Sequence, residues 1–301
     1  MSPFVFGIYP GGTSAAEPVR PDDPARIGAA LIRLQGETGR PLRIRCYTEY
    51  LGDGTEAIGR IVPADVEPCL RDGRRMDLVA LFQSPDVDGF QRFVQRLVQR
   101  YGPWLDTIQV TEEADIVGCG MDGDTPNVYD ALVAGALTAK DQAARQGLDI
   151  RVGFSVADPD EDFFGSIDAA GAIDYVGLDA FPGVWDDEAP DSITDSLQWL
   201  RGTGLPAAGL GAEIPIIVTE HGWATSPGRS ADEQAAVLER VVRTVHAHRA
   251  DLNIAGYTWF TLRDADSTSP DPFDRFGILH DDYTPKPAFE VYRRLIAELS
   301  A

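Results

Sequence analysis

The chain has 301 residues, 44% of them apolar and 9% aromatic, which is enough to build a sizeable core and unlike a disordered polymer. Acids outnumber bases 48 to 26 for a formal charge of −22, so the basic footprint that nucleic acid or an anionic membrane surface requires is missing. No apolar run approaches membrane-spanning length, and a neutral partner such as a sugar stays compatible with the charge.

A first strand is predicted at Phe4–Tyr9, reached from Met1 without a basic leader region; the expectation is a cytoplasmic chain with no export signal. Gly11-Gly12-Thr13 follows and is too sparse for a dinucleotide fingerprint, so it reads as a loop. A helix over Pro24–Gln35 has Asp23 as cap and Pro24 at its first position. Strand two is expected at Leu42–Tyr47, then a short helix at Ala64–Arg71 and strand three at Met76–Phe82. Phe90, Phe93, Leu97 and Tyr101 stand at helical spacing in a helix that stops at Gly102-Pro103. Strand four follows at Thr107–Thr111, a helix at Pro126–Gln146 ended by Gly147, and strand five at Ile150–Val156. Next come a short helix at Phe163–Ala170 and strands six and seven at Tyr175–Ala180 and Ile216–Thr219. Ser230 and Glu233 form a capping box for a helix with Val237, Val241 and Val245 on one stripe. Strand eight at Gly256–Phe260 and a helix at Pro287–Leu299 close the series.

Eight short apolar strands alternating with helices predict an α/β protein, a closed (β/α)8 TIM barrel, with a doubly wound open sheet as the alternative. No linker or composition shift divides the chain, so residues 1–301 read as one domain. Cys46, Cys69 and Cys119 cannot all pair and show no Cys-x-x-Cys spacing, which predicts reduced thiols. No clustered ligand spacing supports a metal, and no cofactor is expected. Nothing in the sequence sets an oligomeric state.

Two strands end in glutamates. Strand four runs through Gln109-Val110-Thr111-Glu112-Glu113, and strand seven through Ile217-Val218-Thr219-Glu220-His221-Gly222-Trp223. In a barrel with strands in sequence order these two ends oppose each other across the carboxyl-terminal mouth. Two carboxylates held there are the equipment for glycosidic bond cleavage, one as acid/base and one as nucleophile. Capping of the following helix is the alternative duty for each acid.

At these residues the chain resembles the clan of retaining glycoside hydrolases whose (β/α)8 barrel carries glutamates after strands four and seven. The resemblance makes Glu220 the nucleophile and Glu113 the acid/base, and implies a carbohydrate or glycoside as the partner. Tyr257-Thr258-Trp259-Phe260, with Phe276-Gly277-Ile278-Leu279 and Pro285-Lys286-Pro287-Ala288, is similar to the clan's C-terminal signature, which implies Trp259 as the platform under the sugar ring. Arg45 resembles the arginine that holds the nucleophile; Arg43 alternates to the same face, and Arg45 lies nearer the strand end. The sequence departs from the clan in two places. Glu112 stands where asparagine is usual, replacing a group that donates and accepts by one that only accepts when ionised. Phe181, beside Asp179, stands near the place of a tyrosine that bonds the nucleophile.

Strict alternation sends Glu112 and Glu113 to opposite faces, so both enter the mouth only if the strand ends in a bulge or turn. Gly222 is expected to let the chain turn sharply behind Glu220. Trp223 either walls the pocket or packs in the core, and His221 either contacts substrate or caps its loop. Tyr47, Glu49, Gln83, Asp158 and Asp179 lie near other strand ends, where hydrogen bonding for structure is the usual duty; Asp179 is retained as a binding candidate. The expected function is β-glycoside hydrolysis by double displacement. A transglycosylating barrel, or a silent one that binds carbohydrate or another small molecule, is the alternative.

Overall fold

The computed structural model describes residues 3–12, 19–53, 61–169, 171–185 and 187–300. Met1, Thr13 of the first loop and Ala170 at the end of the fifth expected helix lie outside them. Eight parallel strands close into a barrel in sequence order: β1 (Val5–Ile8), β2 (Leu42–Tyr50), β3 (Arg74–Phe82), β4 (Leu105–Val110), β5 (Arg151–Val156), β6 (Tyr175–Ala180), β7 (Ile216–His221) and β8 (Ile254–Trp259). β8 pairs back onto β1, with Gly7 opposite Thr258 and Ile8 opposite Trp259. This is the expected (β/α)8 architecture.

The helices among the described residues are α1 (Pro24–Gln35), α2 (Pro63–Val66), α3 (Val87–Tyr101), α4 (Val128–Gln146), α5 (Glu161–Ser166), α6 (Ile193–Trp199), α7 (Leu205–Ala207), α8 (Ala231–Ala247) and α9 (Pro287–Leu299). Their caps follow local chemistry. Asp23 accepts from Ala25 N at 2.9 Å, and Ser230 and Glu233 exchange bonds in the expected box, at 3.2 and 2.6 Å. Asn127 takes a left-handed φ of 68°, so α4 starts two residues after the expected Pro126. Asp160 caps α5 through Phe163 N at 2.8 Å, which starts that helix two residues before Phe163. The helical run between β6 and β7 carries no expected element; Gly202, Gly204 and Pro206 break its sequence pattern, and a π-helical turn at Leu200–Gly204 joins α6 to α7.

Alternation along the strands separates two environments. Leu42, Ile44 and Cys46 of β2 join the main apolar core under the helices, whereas Arg43, Arg45 and Tyr47 point the other way, into the barrel. Gly256 makes room there, because a Cβ would stand 2.5 Å from Arg43 Nη1. The interior is therefore polar toward the mouth. Cys46 and Cys69 are buried free thiols and Cys119 is exposed. Among the described residues no helix is long and apolar enough to cross a membrane.

Candidate active site

The turn after β4 decides where two acids go. β4 stops at Val110, and Thr111 and Glu113 adopt left-handed backbone with φ of 64° and 49°. That conformation costs a residue with a Cβ about 1–2 kcal/mol, and here it cancels strand alternation: Glu112 and Glu113 line the same cleft. Three acceptors hold the turn. Buried Asp122 takes the amides of Phe82 and Glu112 at 2.8 Å each and the Gln83 amide group at 2.6 Å. Asp115 accepts from Ala157 N and Asp158 N at 3.0 and 2.8 Å, and Ser155 Oγ accepts from Glu113 N at 3.3 Å. Asp122 and Asp115 were not among the sequence candidates.

Glu220 enters from the opposite wall. A register shift between Leu178 and Asp179 sets Asp179 beside Glu220 on neighbouring strands, and both residues line the cleft floor. Glu220 Oε1 accepts from Arg45 Nε at 3.1 Å and from the Tyr47 hydroxyl. Arg45 also donates to Asp77 Oδ2 at 3.0 Å and Gln109 Oε1 at 3.1 Å, and Gln109 Nε2 reaches Ser155 Oγ at 2.9 Å. One guanidinium thus ties β2, β3, β4 and β7 together. Arg43, two residues earlier, pairs instead with Asp106 at 2.6 Å at the start of β4. Tyr47 supplies from β2 the hydroxyl that Phe181 cannot supply from the end of β6. Alternation with Arg45 was the available hint, because residues two apart on a strand share a face.

Four acids stand on the cleft floor, and Asp179 and Glu112 both penalise charge on Glu113 and on Glu220. Burial, then Asp179, Glu112 and Glu220, hold the Glu113 carboxyl well above the usual carboxylate range. Burial and Asp179 push Glu220 up to about 8, opposed by the Arg45 guanidinium and the Tyr47 hydrogen bond. Burial raises Asp179 to about 6, with Arg45 opposing. The strongest charged influences on Glu113 are all acids, whereas Glu220 has a cation and a phenol against one oxygen. Burial and the neighbouring acids favour the protonated form of both glutamates, and only at Glu220 do a guanidinium and a phenol oppose it. Burial raises the Tyr47 phenol well above its ordinary value, so it remains a donor.

The cleft encloses about 630 Å³, with Phe181, Trp185, Phe260 and Phe273 as its aromatic wall. Three expected contacts lie elsewhere. Trp259 is 0% exposed, and its indole donates to Phe276 O at 3.3 Å behind the strand. β8 ends at Trp259 rather than at Phe260, so the next residue is the one that turns into the mouth; Phe260 lines the cleft and stacks on Tyr9 at 5.2 Å. His221 is buried against Tyr257, Nδ1 to hydroxyl 2.5 Å, with burial lowering its ring to about 3, so it is a neutral packing group outside the cleft lining. Trp223 is half-buried under the Arg229 guanidinium at 4.6 Å and is also absent from the lining. Gly222 has no left-handed φ; it serves close approach, since a Cβ would lie 2.3 Å from Phe260 O. Among the described residues no group of three histidines, cysteines or acids is arranged to hold a metal.

No family model and no curated protein matches the chain. Solved structures do match in fold. A family 39 glycoside hydrolase from Bacteroides cellulosilyticus aligns with a TM-score of 0.67 at 16% identity, over 99% of this chain and 64% of that one. A GH2 β-galacturonidase from Eisenbergiella tayi aligns with a TM-score of 0.66 at 13% identity, over 100% and 51%. A β-glucosidase from Exiguobacterium marinum gives 0.64 at 14% identity, over 99% and 98%. The chain thus spans about half to two thirds of the first two and nearly all of the third. At these identities the likeness is one of fold.

Proposed function

We propose that residues 1–301 form a single barrel domain that cleaves a β-linked glycoside by retaining double displacement, in the manner of the clan with glutamates after strands four and seven. The observation that carries this reading is the asymmetry of the two opposed glutamates: Glu220 is oriented by Arg45 and Tyr47, and Glu113 is surrounded by acids that keep it protonated. The neighbours named above as β-galacturonidase and β-glucosidase support it by analogy of fold.

In the first half-reaction a Glu220 oxygen attacks the anomeric carbon, and the bond to the leaving oxygen breaks as Glu113 gives that oxygen its proton. The Arg45 and Tyr47 bonds favour the ionised form of Glu220 against its burial and the neighbouring acids, and they weaken as its charge passes into the glycosyl ester. In the second half-reaction Glu113, now a base, takes a proton from water, whose oxygen displaces Glu220 and restores both residues. Neither half-reaction calls on a cofactor. The two carboxyl groups are expected about 5–5.5 Å apart in the substrate complex. Proton NMR of the first-formed anomer from an aryl β-glycoside is the test. Retention of the β configuration is expected; an initial α anomer would overturn the mechanism.

A further inference from the structure

Double displacement employs two acids, and the cleft floor holds four. Glu112 and Asp179 have no step in the reaction, yet both line the cleft beside the reacting pair, and each bears electrostatically on Glu220. Asp158 and Glu188 add carboxylates at the rim, and among the described residues the lining contains no lysine, arginine or histidine. Arg45, behind Glu220, is already bonded to Glu220, Asp77 and Gln109, and stands 4.0 Å from Asp179. Asp179 is 1% exposed; the Thr219 and Ser155 hydroxyls lie close enough to lower its proton affinity, but neither of its oxygens has a donor in full hydrogen-bonding geometry.

A buried carboxylate with only distant hydroxyls and a guanidinium at 4.0 Å is costly unless a ligand supplies closer donors. A neutral sugar hydroxyl donates a hydrogen bond but leaves the charge in place. A uronate would add a further negative charge. An ammonium supplies several donors and the opposite charge at once.

Resting on the glycosidase reading, we propose that the cleft selects glycosides whose sugar carries a free ammonium on the carbon next to the anomeric centre, a 2-amino-2-deoxy sugar, seated against Glu112 and Asp179. The position follows from chemistry. Around an anomeric carbon held between Glu113 and Glu220, the nearest groups are the leaving oxygen, the ring oxygen and the substituent on the adjacent carbon. Only the last can be an amine. Glu112 adjoins Glu113 in the chain, and Asp179 adjoins Glu220 across the β6–β7 pair, so the surplus acids flank that substituent.

The test compares kcat/KM at pH 6 for 4-nitrophenyl β-glycosides of glucosamine, N-acetylglucosamine, glucose and glucuronic acid and of the galacto-configured set, alongside calorimetric binding of the free sugars. The amino glycoside of one configuration should exceed its neutral counterpart by about 10–100-fold, the worth of a charge-assisted bond. Acetamido and uronic glycosides should rank below both. Glu112→Gln and, independently, Asp179→Asn should each cut the amino-to-neutral ratio at least several-fold. Neutral glycosides cleaved as well as amino ones would overturn the substrate class and leave hydrolysis standing. Preferential binding of amino sugars without turnover of any glycoside would uphold the ligand class and sink the hydrolysis. Equal binding of amino and neutral sugars without turnover would overturn the ligand class.

Discussion

Glu220→Gln should change stability in a way that depends on pH, because the residue's carboxyl is held in a site that disfavours its charge. Burial and Asp179 raise it from the ordinary 4.5 to about 8. A folded-state value above the unfolded one contributes stability that is full below pH 4.5 and is lost as pH rises through about 8. At 1.36 kcal/mol per unit, ionisation of the unfolded chain costs the native state about 1 kcal/mol at pH 5 and about 3 at pH 7. Glutamine keeps an acceptor for Arg45 and Tyr47 and removes the titration. Whatever constant effect the substitution has, its stability relative to the parent should therefore rise by about 2 kcal/mol between pH 5 and pH 7. For 301 residues that corresponds to about 3–4 °C in midpoint. Thermal unfolding followed by circular dichroism at the two pH values reads the difference directly. A variant whose relative midpoint is the same at both, or falls toward pH 7, would refute the picture of a crowded, partly protonated acid cluster.

Tyr47→Phe removes a donor that lowers the proton affinity of Glu220; kcat should drop about 10–100-fold, and the acidic limb of the pH–rate profile should move to higher pH. An unmoved acidic limb would separate Tyr47 from the nucleophile. Trp259→Ala should cost about 3–5 kcal/mol of stability, since its ring is enclosed. Phe260→Leu keeps most of the volume, costing under about 1.5 kcal/mol, yet should raise KM because the ring face toward the cleft is gone. Substrate kinetics beside thermal melts distinguish these two residues, and a KM effect confined to Trp259 would reverse the assignment.

The barrel was legible because most strands are short apolar runs and several helices carry start or stop signals, such as Asp23 with Pro24, the Ser230–Glu233 box and Gly147. The glutamates were legible because they terminate two such runs. What stayed hidden depends on single-residue register. Trp259 and Phe260 exchange places when strand eight ends one residue earlier, and nothing in Tyr257-Thr258-Trp259-Phe260 fixes that end. Glu112 joins Glu113 in the cleft only through left-handed backbone at Thr111 and Glu113, which neither residue type announces. Tyr47 serves Glu220 through 173 residues of sequence separation, a contact that only barrel closure creates. The run between β6 and β7 escaped because glycine and proline interrupt its period.

The central claim is that Glu220 is the residue that bonds covalently to sugar. A panel of 5-fluoro glycosyl fluorides, which retain the substituent beside the anomeric carbon, offers the direct measurement: intact mass after incubation, then peptide mapping of the labelled protein. The account predicts one stoichiometric adduct, located on Glu220 and absent from Glu220→Gln. An adduct on Glu112, Glu113 or Asp179, or processing of the fluoride with inversion and no adduct, would contradict it.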